Sequence, residues 1–369
     1  MRPPCVVASV ALLFASASVC VAQVPGFHPV GFPVDGYGST VTGLSANGAI
    51  ASGTAFLSSN NFAFTWTLGG GRNEFGREAG LPSSTGASAI SGDGLAVVGD
   101  DGSRAFRYQG PGTYQAIARI GGYTATAATG VSGDGSVVAG SLLVNQSLVS
   151  QVFRWSQAGG IQGLGYARPT HSISWGGGVS RDGRTIVGGS GGVGNSEGFA
   201  WRQSTGMIPL PSLSGSTSST AIAVNFDGSI IVGQSGPDLD AVLWRDGQIS
   251  SLGRAPGLDS GPALAVSDDG AVVVGQGGFA GGGTIATIWT PTVGMERLDS
   301  YLARNGIQVP SGWTLLKASA VSADGLTIAG EERSSAGVHQ GFVVTIPAPG
   351  PLALGLLGAA TFAVRRRRT

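Results

Sequence analysis

The chain is poor in the side chains that most chemistry requires. Of its 369 residues, two are cysteine (Cys5 and Cys20), three are histidine (His28, His171 and His339) and one is lysine (Lys317). Both cysteines fall in the first 22 residues. Removal of that segment would exclude disulfides, Cys-ligated zinc and thiol catalysis from the rest. The histidines lack metal-ligand spacing, and Lys317 does not sit in a Gly-Lys-Ser/Thr phosphate loop. Charged residues are only 11% of the chain, under half the usual share. Five of the 21 basic residues (Arg2 and Arg365 to Arg368) are terminal, so the body between them carries 16 basic against 21 acidic residues, a net −5. That sign gives no electrostatic reason to seek nucleic acid.

Glycine is what the chain has in abundance, 65 residues without a three-residue period. With abundant Val, Ala, Ser and Thr, this composition favours many short strands joined by tight turns and excludes collagen. A tetrad with a glycine five residues after its own recurs seven times. It reads Ser45-Ala46-Asn47-Gly48 with Gly53, Ser91-Gly92-Asp93-Gly94 with Gly99, and Ser132-Gly133-Asp134-Gly135 with Gly140. The others are Ser180-Arg181-Asp182-Gly183 with Gly188, Asn225-Phe226-Asp227-Gly228 with Gly233, Ser267-Asp268-Asp269-Gly270 with Gly275, and Ser322-Ala323-Asp324-Gly325 with Gly330. Successive tetrad glycines are 46, 41, 48, 45, 42 and 55 residues apart, in the range of propeller repeats.

Asp-Gly and Asn-Gly suit tight hairpin turns, so each tetrad is expected to join two short apolar strands, with Arg181 a solvated turn side chain. A third strand carries aromatic-x-aromatic (Phe64/Trp66, Phe106/Tyr108, Phe153/Trp155, Phe199/Trp201) or a single aromatic (Trp244, Trp289, Phe342), and a fourth strand follows. The reading is an all-β, seven-bladed β-propeller of four-stranded antiparallel blades over residues 23–346. The last repeat has no fourth strand of its own, so residues 27–32 are expected to complete it beside residues 342–346. One helix is expected, residues 295–305, ending at Gly306.

The ends read as addresses. Residues 1–22 have the charge, apolar run and small-x-small site of a signal peptide, with cleavage between Ala22 and Gln23. Residues 347–369 combine Pro347-Ala348-Pro349, an apolar run over 352–364 and Arg365, Arg366, Arg367 and Arg368. Counted from Pro347, this is long enough for a C-terminal transmembrane sorting helix held by its positive end.

The tail resembles the PEP-CTERM sorting signal, with Ala348 where that family usually has Glu. The resemblance implies the export machinery and an exosortase-type protease as partners, and a location at the cell surface, outer membrane or extracellular matrix, often beside exopolysaccharide. The tetrads and aromatic strands resemble the extracellular HAF-repeat family, which implies an exported repeat fold without naming a ligand.

Sites are few. The turn carboxylates are read as turn residues, because each loop offers about one carboxylate where calcium needs several oxygens. No Gly-x-Ser-x-Gly elbow is read in the chain, and strings such as Gly189-Ser190-Gly191-Gly192 are expected to lie in loops without a following helix, as Gly-rich connections. Off-turn acids such as Glu74, Glu78, Glu197, Glu296, Glu331 and Glu332 show no pairing of the kind a glycosidase needs. No catalytic, metal or cofactor residue is assigned. One segment breaks the repeat: Arg168, His171 and Trp175 form a candidate ligand surface on an insertion. The expected function is non-catalytic adhesion, scaffolding or glycan binding; the alternative is a carbohydrate-active hydrolase or lyase with its site in the propeller funnel.

Overall fold

The computed structural model describes residues 25–77, 81–144, 150–192, 195–279 and 282–348. The signal segment with Ala22 and Gln23, the tail from Pro349 with Arg365 to Arg368, and Glu78 lie outside these residues. Among the described residues no helix is long and apolar enough to cross a membrane.

The strands assemble into five four-stranded sheets and one eight-stranded sheet. One unit shows the plan. Ala125–Val131, Val137–Leu143, Ser150–Ser156 and Gly160–Gly163 pair antiparallel in chain order. The eight-stranded sheet divides at one parallel bridge, Gly38 to His339. On one side lie Gly36–Leu44, Ala51–Leu57, Asn61–Thr67 and Gly71–Asn73. On the other, Trp313–Val321, Thr327–Ser334 and His339–Thr345 are joined by the N-terminal strand Gly26–Gly31. That strand pairs antiparallel with His339–Thr345, Phe27 opposite Val344, and Phe27 stacks on Phe342 at 5.5 Å. The expected pairing of the two chain ends is therefore present.

The tetrads form the turns between first and second strands. In Ser132 to Gly135, the Ser132 hydroxyl donates to Asp134 Oδ1 (2.7 Å) and accepts from Val137 N (2.9 Å), while Ser136 N donates to Asp134 (3.0 Å). Gly135, at φ +69°, makes the bend. The same bonds recur at Ser91, Ser180, Ser267 and Ser322, with Asn47 replacing Asp in the first unit and Asn225 replacing Ser in the fifth. Each turn also donates to the next: Ala46 N to Gly92 O, Asp93 N to Gly133 O, Gly133 N to Arg181 O and Asp182 N to Phe226 O. Asn225 Nδ2 reaches Asp268 O (2.9 Å), Asp268 N reaches Ala323 O, and Ala323 N returns to Ala46 O. The seven turns thus close a hydrogen-bonded circle.

The second glycine of each motif has a different role. A Cβ on Gly140 would collide with the Ala127 carbonyl oxygen of the paired first strand, and the equivalent glycines Gly53, Gly99, Gly188, Gly233, Gly275 and Gly330 each face the equivalent carbonyl as closely. A register shift recurs nearby in all seven first strands, between Ala128 and Gly130 in this unit. Such a bulge turns one extra side chain away from the ladder.

The core lies between neighbouring sheets. Phe64, Phe106, Phe153, Phe199 and Phe342 are fully buried, with Trp66, Trp155, Trp201 and Trp244 beside them. Buried hydroxyls tie the sheets together. Ser39, Thr85, Thr126, Ser174 and Ser219, each six residues before its turn, accept from third-strand N–H groups of the preceding unit at 2.8–3.1 Å. Thr126→Val leaves Ala105 N–H buried without its acceptor and should cost about 1–3 kcal/mol in chemical denaturation. An unchanged midpoint would show that this N–H finds another partner.

The helix departs from the sequence expectation. Gly294–Arg297 is the fourth strand of its sheet, Met295 opposite Trp289, and the helix is only Leu298–Arg304. Strand pairing takes the first residues of the expected 295–305 segment. Leu298 and Leu302 still share one face, buried in the core, and Gly306 stands beyond the end at φ +77°.

Candidate functional site

The first strands of all seven units surround a central cavity of about 550 Å³, a size that suits a small ligand. Its wall is mainly small and aliphatic. The residue two before each turn is Gly or Ala (Gly43, Ala89, Gly130, Gly178, Ala223, Ala265, Ala320), and the next is Leu44, Ile90, Val131, Val179, Val224, Val266 or Val321. Thr42 and Ser319 are committed, bonding to Ala87 O (2.9 Å) and Val41 O (2.5 Å) of neighbouring units. Among the described residues no carboxylate and no aromatic ring lines the cavity, and its two charged side chains are Arg181 and Lys317.

Arg181 is not the solvated turn residue expected from the sequence. It reaches past the intervening fifth unit to Asp268, Nη1 to Oδ1 2.6 Å, and its side chain is 19% exposed. A Cβ on Gly92, in the second unit, would touch its Cδ, so the side chain crosses the opening of the turn circle. Lys317 has no ion pair or hydrogen bond among the described residues. Glu331 is opposite it on the paired strand, but that carboxylate is held by His339 Nδ1 (2.6 Å) and Thr40 Oγ1 (3.5 Å). Gln276, from the adjacent sixth unit, also lines the cavity, and its side chain is likewise without a protein partner among the described residues.

The insertion residues divide. Arg168 clasps Glu197 with Nε and Nη2, the latter at 2.8 Å, and this pair borders a second cavity of about 510 Å³ with Pro209 and Ser212. Hydrogen bonding from Arg168 lowers the Glu197 pKa against the opposing effect of burial. His171 is buried, Nδ1 3.0 Å from Ser190 Oγ and Nε2 3.8 Å from Glu197. Trp175 pairs across the ladder with Gly189 and packs over it. Gly189 and Ser190 are consecutive in a strand and so point to opposite faces. The structure therefore brings Arg168 and His171 together and puts Trp175 on the other face of the sheet.

The Gly189 to Gly192 string is no loop either; it lies inside the strand Thr185–Gly192. With Gly188 it spells Gly-x-Ser-x-Gly, and Ser190, His171 and Glu197 form a hydroxyl–imidazole–carboxylate chain. Ser190 is 0% exposed, donates to Ile173 O (3.2 Å) and accepts from Ala167 N (3.0 Å). A nucleophile must reach its substrate, and this hydroxyl is walled in. The other described glutamates each have their own partners: Glu74 with Arg72 and Arg77, Glu296 with Arg304, Glu331 with His339, Glu332 with Gln340. Two carboxylate pairs each share one arginine, Asp238 and Asp240 on Arg254 and Asp35 and Glu74 on Arg77. Among the described residues no three His, Cys, Asp or Glu side chains cluster as metal ligands would.

Sequence reasoning missed Lys317 and Gln276 as cavity residues. The available signal was that the chain's one lysine falls on a first strand, five residues before a turn.

No protein-family model and no curated relative matches the chain. Solved structures do. An oligogalacturonate lyase from Vibrio parahaemolyticus superposes with a TM-score of 0.58 at 11% identity, covering 87% of this chain and 93% of that one. An oligogalacturonate lyase in complex with manganese gives 0.57 at 12%, covering 89% and 94%. TolB from Acinetobacter baumannii gives 0.44 at 14%, covering 70% of this chain and 62%, less than two thirds, of that one. At such identities the likeness concerns the fold alone: the chain is a β-propeller protein.

Proposed function

We propose that this is an exported, non-catalytic seven-bladed propeller, acting at the cell surface or in the extracellular matrix by binding a ligand in its central cavity. The eight-stranded sheet counts as two blades, whose strands pair with each other among the described residues at the single Gly38–His339 bridge, the second being completed by the N-terminal strand. Export rests on the signal-like segment and sorting-like tail of the sequence. The observation that carries the binding role is the cavity wall: small aliphatic residues, four hydroxyls, two cations and, among the described residues, no carboxylate to act as acid, base or metal ligand.

The alternative is a carbohydrate-active lyase or hydrolase, a reading suggested by the names of the oligogalacturonate lyases that share the fold. Fold and chemistry are separable. The purified chain, incubated with polygalacturonate and a glycan panel with or without manganese, is expected to yield no unsaturated sugars and no new reducing ends. Turnover abolished by Glu197→Gln would replace the binding reading with the enzymatic one.

A further inference from the structure

The central cavity contains an uncommitted pair of donors. Lys317 comes from the first strand of the last unit and Gln276 from the second strand of the unit before it. An ammonium and an amide on adjacent blades, neither with a protein partner among the described residues, face a cavity that no carboxylate lines. The other cation, Arg181, is already neutralised by Asp268 at 2.6 Å. The wall around the pair is mainly Gly, Ala, Val, Ile and Leu with the hydroxyls of Thr42, Ser88, Thr129 and Ser319, and among the described residues no aromatic ring lines it on which a sugar could stack.

From this we infer that the cavity binds an organic anion, a carboxylate on a compact aliphatic body. Lys317 Nζ and Gln276 Nε2 donate to the carboxylate, and the aliphatic wall takes the body. Charge-assisted bonds of this kind are the strong ones, and burial of the aliphatic part adds to them. This inference rests on the ligand-binding reading above and specifies its ligand class. It also moves the expected ligand away from neutral glycans, whose recognition by the insertion required Trp175 beside Arg168 and His171.

The test is calorimetric titration of the full chain with hexanoate, with hexanol as the neutral counterpart. Hexanoate should bind at least about tenfold more tightly than hexanol. Lys317→Met and Gln276→Leu should each weaken hexanoate binding, Lys317→Met by about tenfold or more, while Lys317→Arg retains it. Gln276→Leu keeps the test decisive if Lys317→Met does not fold. Equal affinity for hexanol and hexanoate, or hexanoate binding unchanged in both Lys317→Met and Gln276→Leu, overturns the inference. Binding of a neutral glycan with none of hexanoate overturns it too, but leaves the non-catalytic binding role standing; glycan turnover would remove that role instead.

Discussion

Gly140→Ala is expected to destabilise the chain by about 3 kcal/mol or more, although it adds one methyl group and Gly140 is not at positive φ. The added Cβ has no free direction. It meets the Ala127 carbonyl oxygen and the Cα of Ala128 in a sheet whose first and second strands are paired from Ala125/Leu143 to Val131/Val138 on both sides of the bulge between Ala128 and Gly130. Relief requires the first strand to move, and that strand is tied to its neighbours. The Thr126 hydroxyl accepts from Ala105 N, and Gly176 N donates to Ser141 in the second strand. Gly69→Ala is the matched comparison, because nothing lies within 4 Å of its added Cβ, and it should fall within about 0.5 kcal/mol of the parent. The comparison is read from urea denaturation midpoints. Equal midpoints for the two variants would mean that the second glycine of the repeat is a remnant of duplication without a packing role.

The repeat made much of this architecture legible in the sequence. Asp-Gly in a tetrad specifies a turn through local chemistry, and the structure shows the Asp134 carboxylate consumed by Ser132 and Ser136. The last repeat visibly lacked a strand, which placed the N-terminal segment beside Phe342. Local rules were insufficient where the partner is distant in sequence. Arg181 is separated from Asp268 by 87 residues, and the two meet across the circle of turns. Met295 belongs to a strand because Trp289 pairs with it, a tertiary effect that overrides the helical spacing of Leu298 and Leu302.

The site was legible only by elimination. Arg168 and His171 do converge, on Glu197, but Trp175 was separated from them by the alternation of a strand not recognised through its glycines. Lys317 and Gln276 line one cavity from two neighbouring units, and linear spacing contains no sign of that convergence.

Stability should fall as pH rises through neutrality, and Glu332 is the reason. Its side chain is buried; Oε1 accepts from Gln340 Nε2 at 2.9 Å, and Oε2 is without a partner among the described residues. Burial raises its pKa from 4.5 to about 7, with the Gln340 bond opposing. The folded protein therefore holds this proton where the unfolded chain has released it. The stabilisation is complete below about pH 4.5 and is lost as pH rises through about 7. Above pH 8 the charged group costs the fold on the order of 2–3 kcal/mol relative to its protonated form. Glu332→Gln keeps the shape and the acceptor for Gln340 but cannot ionise. The variant should match the parent near pH 4.5, exceed it by on the order of 2–3 kcal/mol at pH 8, and show a flatter profile between. Chemical denaturation at pH 4.5, 6, 7 and 8 measures both profiles. Parallel profiles for the two proteins would show that Glu332 is ionised in the folded state at neutral pH, with its charge met by a group other than Gln340.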